Sequence, residues 1–150
     1  MVLEKDVAII GAGPVGLFAV FQCGMLGLST IVVDALDDLG GQCTALYPEK
    51  PIYDIPAYPE ITGANLIGSL VKQAEPFASD YLLSRQVVAL EKKQDGEQEY
   101  FILETSKGDT LKVKSVLIAA GAGAFGPNRP PLETIEHYEG HSVFYYVKDP

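Results

Sequence analysis

The stretch Gly11-Ala-Gly13-Pro14-Val-Gly16 decides the fold, because it stands between a short apolar run and a longer one. The run from Asp6 to Ile10 is typical of a buried strand, and the run from Pro14 to Leu26 is typical of a helix that stops near Gly27. A β-branched run, Thr30 to Val33, predicts the next strand. A strand, a helix and a strand within about 30 residues predict a right-handed crossover between parallel strands.

Each glycine of this stretch suits a loop that binds a dinucleotide. Gly11 permits a tight turn, Gly13 lets the backbone approach a pyrophosphate, and Gly16 lets the helix pack on the strand. The helix N-terminus offers free amides and a positive dipole end to the anion, and Pro14 costs no hydrogen bond there. The alternative is a glycine-rich turn that binds no ligand.

An acidic residue follows the second strand at the spacing of a ribose-binding residue. Asp34 lies 18 positions after Gly16, close to the roughly 20 positions that are typical of such loops. Its carboxylate can accept both ribose hydroxyls and would repel a 2′-phosphate, so this pocket should reject NADP. The alternative is an acid that only caps the end of a strand.

A second glycine pair lies in a proline-rich stretch, Leu36 to Pro59, which we interpret as a long structured loop. Gly40-Gly41-Gln42 provides a backbone of little bulk beside an amide side chain, although a plain turn is the alternative. Tyr47 could lie against a flat heterocycle, or only pack the loop onto the domain. With a later strand that ends in Ala119-Ala-Gly121, this order favours flavin adenine dinucleotide (FAD) as the ligand.

The rest of the chain predicts a further helix, a meander and another buried strand. Thr62 is a good N-cap for a helix that runs to about Gln73. Short alternating runs between Tyr81 and Val113 predict antiparallel strands, and Val116 to Ala119 predicts a buried strand. The predicted fold class is therefore α/β, a Rossmann-like parallel sheet with an antiparallel β-meander.

Composition narrows the class of protein. The chain has 150 residues, of which 47% are apolar, so a packed core is expected. An excess of 20 acids over 11 bases gives a net charge of −9, which argues against nucleic acid or an anionic membrane as partner.

Cys23 and Cys43 form neither a disulfide framework nor a CxxC motif, so we expect a reducing, cytoplasmic location. His137 and His141 lack metal-ligand companions, and we predict no metal site and no catalytic side chain.

With these pieces in place, the chain resembles the ferredoxin–NADP reductases of the thioredoxin-reductase-like type. The most specific stretch is Gly40-Gly-Gln-Cys-Thr-Ala-Leu-Tyr-Pro-Glu-Lys-Pro-Ile-Tyr-Asp-Ile-Pro56, and the likeness extends to Ala119-Ala-Gly-Ala-Gly-Ala-Phe125. The resemblance implies a flavoprotein oxidoreductase, usually a homodimer, that passes electrons from NADPH to ferredoxin or flavodoxin. It also implies a discontinuous FAD domain with an inserted NADP domain.

The resemblance assigns roles to residues as well. It implies that Asp34 holds the adenosine ribose, Gln42 contacts the flavin side and Tyr47 stacks on the isoalloxazine ring. It implies that the backbone of Val87 meets adenine and that Phe125 lines the pocket. The expected cofactor-binding residues are Gly11, Gly13, Pro14, Asp34, Gly41, Gln42, Tyr47, Asp54, Val87, Gly121 and Phe125.

The chain departs from the family pattern in two ways. The region Gly140 to Val147 has no thiol, which argues against disulfide reduction by the thioredoxin-reductase route. The NADP-binding glycine motif and the C-terminal FAD segment are missing, so NADPH would bind outside this chain. We expect residues 1–125 to be the N-terminal segment of the FAD-binding domain, and residues 126–150 to be a linker and the start of an incomplete NADP-binding domain. This piece alone should be inactive.

Two other functions stay open at this point. One is a thioredoxin-reductase-like flavoprotein with a different electron acceptor. The other is a non-enzymatic module that binds a dinucleotide.

Overall fold

The structure, a computed structural model, describes residues 2–122 and 130–144. It contains eight strands and three α-helices within these ranges. The strands are β1 (Val2–Ile10), β2 (Thr30–Val33), β3 (Pro51–Ile52), β4 (Ile61–Thr62), β5 (Asp80–Leu82), β6 (Val87–Asp95), β7 (Gln98–Thr105) and β8 (Thr110–Ile118). The helices are α1 (Pro14–Met25), α2 (Gln42–Ala45) and α3 (Gly63–Ala74), with short 3₁₀ turns at Glu75–Phe77 and Ile135–His137.

Six strands form one mixed sheet in the order β5-β2-β1-β8-β7-β6. Neighbouring strands pair parallel from β5 through β2 and β1 to β8. On its other side β8 pairs antiparallel with β7, and β7 pairs antiparallel with β6. This arrangement confirms the predicted Rossmann-like sheet with an antiparallel meander. The meander is continuous with the parallel sheet, because β8 belongs to both parts.

The sheet has a hydrophobic core on each of its two faces, and β1 contributes side chains to both cores. Ile9 and Val32 pack with residues of α1 and with Ala74 of α3 on one face. Ala8 packs with Leu103 and other residues of the meander on the opposite face. A strand that is covered on both faces is expected to be apolar throughout, and this explains the continuous apolar run that predicted it.

The helix α1 begins and ends where the sequence predicts. Pro14 occupies its first turn, where no backbone donor is lost. Gly27 follows its end at a φ of +72°, and the amides of Gly27 and Leu28 donate to the carbonyls of Gly24 and Cys23. This is the Schellman arrangement, in which glycine accepts the left-handed conformation and the last carbonyls are satisfied.

The sequence prediction of two separate strands at Thr110–Val113 and Val116–Ala119 is wrong, because both belong to the single strand β8. β8 leaves β7 after Val113 but stays paired with β1 as far as Ile118. On the other side of β1, the amides of Asp6 and Val7 both donate to the carbonyl of Ser29, and the pairing of β1 with β8 keeps one register throughout. The exposed residues Lys114 and Ser115 interrupt the apolar run within β8, and this is why the sequence pattern divides it into two strands.

Two further boundaries differ from expectation. Tyr81 lies in β5, a parallel edge strand beside β2, and does not begin the meander. The stretch Leu36 to Pro59 contains the four-residue helix α2 and the strand β3, which pairs with β4. The predicted cap of α3 is confirmed, since the hydroxyl of Thr62 accepts a hydrogen bond from the amide of Asn65 at 3.3 Å.

Among the described residues, no helix has both the length and the apolar character that crossing a bilayer requires. The proposed boundary between residues 125 and 126 falls outside the described ranges.

Candidate functional site

The glycine loop between β1 and α1 is closed by tight backbone packing. Gly11 has a φ of +109°, and a Cβ at this position would overlap the carbonyl of Ala119. A Cβ at Gly16 would overlap the carbonyl of Gly11, so only glycine lets α1 approach the loop this closely. The loop therefore has the compact form that the sequence predicted for these two glycines.

The N-terminus of α1 is open toward the loop. Gly13 is the N-cap residue, and no side chain in the described part of the chain caps this end. A Cβ at Gly13 would meet only the carbonyl oxygen of Gly40, at 4.0 Å, so its absence keeps a gap in front of the helix. Uncapped first-turn amides beside such a gap suit an anionic group.

Asp34 connects the end of β2 to this loop. Its Oδ2 accepts a hydrogen bond from the amide of Ala12 at 2.6 Å, and its Oδ1 accepts one from the amide of Leu36 at 2.8 Å. A carboxylate offers about four acceptor positions, so two remain for ribose hydroxyls. The half-buried side chain is thus held beside the glycine loop by two backbone amides.

The second glycine pair faces the first. The amide of Gly40 donates to the carbonyl of Ala12 at 2.9 Å. A Cβ at Gly41, where φ is +58°, would lie 3.3 Å from the Cα of Gly13. The structure therefore brings Gly13 and Gly41 together as two walls without side chains, with the exposed side chain of Gln42 next to them.

Tyr47 lies at the exposed side of this region. Its side chain is 53% exposed, and the ammonium of Lys50 stands 5.2 Å from the centre of its ring. The loop that carries Tyr47 is held by the first turn of α3, where the amides of Gly63 and Ala64 donate to the carbonyls of Lys50 and Pro48. A fixed loop with an exposed aromatic ring is suited to contact with a flat ligand.

The remaining expected residues lie in different surroundings. Val87 is half-buried at the start of β6, where it pairs with Thr105. Gly121 has a φ of +58° and open space where a Cβ would be. Asp54 is exposed beyond β3, and Phe125 lies outside the described residues.

Several residues of this region gave no signal in the sequence. Ala12 connects both halves of the site, since its amide binds Asp34 and its carbonyl binds Gly40. The hydroxyl of Thr44 is buried against Gly40 and has no hydrogen-bond partner among the described residues. Arg85 donates its backbone amide to the carbonyl of Asp34. These roles depend on backbone geometry, which residue type does not reveal.

The structure shifts the pKa values of Asp6, Asp109 and Cys23, and each shift has a local cause. Hydrogen bonds from Lys114 and Ser29 hold the pKa of Asp6 far below its usual value. The hydroxyl of Thr105, together with Arg85, lowers the pKa of Asp109. Burial raises the pKa of the Cys23 thiol, which makes it a poor nucleophile.

An open groove of about 640 Å³ lies elsewhere, along the outer side of α3. It is lined by Tyr58, Glu60, Ile61, Thr62, Ala64, Asn65, Gly68, Ser69 and Lys72. None of the expected cofactor-binding residues lines it, so the groove and the glycine loop are separate features.

Comparison with known proteins agrees with this geometry. The pyridine nucleotide-disulphide oxidoreductase family matches residues 5–148. The chain is 57% identical to a ferredoxin–NADP reductase of Ehrlichia canis, over 96% of this chain and 41% of the relative. It is 59% identical to that of Rhodospirillum rubrum, over 97% of this chain and 42% of the relative. These matches confirm the resemblance that the sequence indicated.

The chain thus spans about 41% of the length of the curated relatives that it matches. Among solved structures it is similar to the thioredoxin reductase of Streptococcus pyogenes, with a TM-score of 0.67. That likeness has 24% sequence identity and covers 90% of this chain and 40% of the other. At this identity it supports the fold alone.

Proposed function

Because the chain belongs to the pyridine nucleotide-disulphide oxidoreductase family, we propose that it is the FAD-binding part of a flavin oxidoreductase that passes electrons from NADPH to ferredoxin or flavodoxin. The observation that supports this most directly is the pair of facing glycines, Gly13 and Gly41, beside the carboxylate of Asp34. The names of the Ehrlichia and Rhodospirillum relatives support the choice of ferredoxin and NADP.

The residues present fit the adenosine diphosphate half of FAD. First-turn amides of α1 would hold the diphosphate, because Pro14 and Gly13 leave that end without a side-chain cap. Asp34 would accept the ribose hydroxyls, and the start of β6 at Val87 would meet adenine. The negative charge of Asp34 would exclude a 2′-phosphate, which favours FAD over NADP in this pocket.

The exposed loop would hold the flavin half. The amide of Gln42 and the backbone of Gly41 would contact the flavin side, and Tyr47 would lie against the ring face. Gly121 would close the pocket at the end of β8, with Asp54 and Phe125 as further lining residues. When bound, FAD supplies the chemistry of hydride acceptance and single-electron release.

We also propose the domain division at residue 125, with the NADPH site in a part of the protein beyond this chain. Beyond Val113, β8 has no partner on its outer side among residues 2–122 and 130–144. Ile118, at the end of this unpaired edge, is 72% exposed. Apolar surface beside an open strand edge is normally covered, which supports a longer FAD domain.

A cytoplasmic location and a homodimer complete the proposal. Cys23 and Cys43 are both free thiols, which fits a reducing compartment. The homodimer and flavodoxin rest on the family resemblance alone. Because this chain is acidic, a basic docking surface for an acidic acceptor would have to lie in a local cluster or in another part of the protein.

The test is the absorption spectrum of the purified full-length protein, followed by steady-state NADPH oxidation with ferredoxin, flavodoxin and thioredoxin as acceptors. We expect the bands of oxidised flavin, release of FAD on denaturation, and rates with ferredoxin or flavodoxin that far exceed the rate with thioredoxin. Preference for thioredoxin would instead favour the alternative of a thioredoxin-reductase-like flavoprotein with another acceptor. A protein that binds neither FAD nor NADPH would contradict the proposal.

A further inference from the structure

Arg85 lies between the end of β2 and the turn that joins β7 to β8. Its backbone amide donates to the carbonyl of Asp34 at 2.8 Å. Its guanidinium donates from Nε to Asp109 at 2.6 Å and from Nη1 to the carbonyl of Leu83 at 2.9 Å. Arg85 thus connects the end of β2, through its backbone amide, to the meander, through its guanidinium.

The turn that receives Arg85 is itself closed by hydrogen bonds. The hydroxyl of Thr105 donates to Oδ2 of Asp109 at 2.7 Å and accepts from the amide of Asp109 at 3.1 Å. Thr105 is only 4% exposed. Because Oδ2 of Asp109 accepts from both Thr105 and Arg85, the carboxylate fixes the position of the guanidinium relative to the turn.

The same turn holds the segment that leads into β6. The amide of Ser106 donates to the carbonyl of Gln86 at 2.8 Å, and the amide of Gln86 donates to the hydroxyl of Ser106 at 3.1 Å. Val87, the expected adenine contact, pairs with Thr105 in the next step of the ladder. The backbone that leads into Val87 is therefore held by the same turn that binds the guanidinium of Arg85.

This ion pair differs from the others in its surroundings. The side chains of Arg85 and Asp109 are 28% and 26% exposed, whereas Lys92 and Glu99 on the outer meander are each 56% exposed. Exposed pairs contribute little to stability because water and salt screen them. A partly shielded pair with several hydrogen bonds fixes geometry more strongly.

We propose that Arg85 and Asp109 are positioning residues for the adenosine end of FAD, because they hold the backbone of residues 85–87 at a fixed distance from Asp34. This inference rests on the proposed function, since it presupposes that FAD binds at the glycine loop. Neither side chain contacts the cofactor in this account. They act through the backbone of Asp34 and Val87.

The test compares Arg85→Lys and Asp109→Asn with a matched change, Glu99→Gln, in the full-length protein. We measure the dissociation constants of FAD and of ADP, the melting temperature of the apoprotein and the absorption spectrum of the bound flavin. Arg85→Lys and Asp109→Asn should each weaken FAD and ADP by about tenfold, which is the loss of one charge-assisted hydrogen bond. The flavin spectrum should not change, and Glu99→Gln should match the wild type.

The outcomes separate the inference from the function on which it rests. Wild-type affinities for FAD and ADP in both variants would overturn the positioning role and leave the FAD site intact. A lower apoprotein melting temperature together with an altered flavin spectrum would also overturn it, because the pair would then support the whole fold. A wild-type protein that binds neither FAD nor ADP would overturn the proposed function first, and this inference with it.

Discussion

The two halves of the proposed cofactor site are built in opposite ways. At the adenosine half, Gly11 and Gly16 pack against backbone, and Asp34 is held by two amides. At the flavin half, Tyr47 and Gln42 are exposed on a loop that is tied to α3 by backbone hydrogen bonds. The residues proposed for the adenosine half are held by contacts with backbone, whereas the side chains proposed for the flavin half are exposed. Substitutions should therefore have larger effects in the first half than in the second.

The largest expected effect is that of Gly16→Ala. The new methyl group would overlap the carbonyl of Gly11, so α1 must move away from the loop. Overpacking of this kind costs about 1–3 kcal/mol or more. Urea denaturation should show this loss of stability, together with loss of FAD binding. The matched control is Gly68→Ala in α3, where a Cβ meets no atom within 4 Å. Equal stability of the two variants would contradict the close packing.

The next largest effect is that of Asp34→Ala. It removes a carboxylate that would bind ribose and that orients the amide of Ala12. Loss of a charged hydrogen-bond partner should raise the dissociation constant of FAD by about tenfold to a hundredfold. Equilibrium titration of the apoprotein measures this constant.

The control for Asp34→Ala is Cys43→Ser, on the flavin side. Cys43 has no assigned contact with the cofactor, so its variant should bind FAD within about twofold of the wild type. Equal loss of FAD in the two variants would count against the ribose role of Asp34.

A smaller effect is expected from Tyr47→Leu. Aromatic stacking contributes about 0.5–1.5 kcal/mol beyond area burial, which corresponds to a loss of affinity of roughly two- to tenfold. The bound flavin should also fluoresce more strongly, because an aromatic neighbour is removed from its ring. Tyr53→Leu is the control, since Tyr53 is exposed on the same loop. If the Tyr53 variant changed flavin fluorescence as much as the Tyr47 variant, the stacking role would move to another residue.

The smallest effect concerns the stability of the fold in acid, through Asp6 in β1. Lys114, through a hydrogen bond, and then Ser29 lower the pKa of Asp6 below its ordinary value of 3.8. A pKa that is lowered on folding gives stability that is present above the unfolded value and is lost as the pH falls below it. The urea concentration at the midpoint of unfolding of the wild type should therefore decrease as the pH is lowered below 3.8. Asp6→Asn should make this decrease smaller. Asp95→Asn, on the outer meander, is the control and should keep the wild-type slope.

The sequence predicted the strands, the helix and the tight turn around the glycine loop well, because their signals are local. The loop from Gly11 to Gly16, the run Thr30 to Val33 and the cap Thr62 each depend on residue types that are adjacent or regularly spaced. Such patterns specify a strand, a helix start or a tight turn without reference to distant parts of the chain. The fold class follows from them, whereas the approach of Gly41 to Gly13 is a contact between separate parts of the chain.

The parts that the sequence did not predict depend on contacts between distant residues. The union of two predicted strands into β8 depends on pairing with β1, more than a hundred positions away. The edge strand β5 is short and exists because β2 offers it a partner. The role of Arg85 requires both Asp34 and Asp109, which no local pattern brings together.

A crystal structure of the full-length protein with FAD would test the central claim most directly. We expect diphosphate oxygens within about 3.2 Å of the first-turn amides of α1, which is hydrogen-bond distance. The ribose hydroxyls should contact the carboxylate of Asp34, between the loops of Gly13 and Gly41. A diphosphate bound elsewhere, for example in the groove beside Lys72, or an Asp34 side chain that faces away from the ribose, would contradict the account.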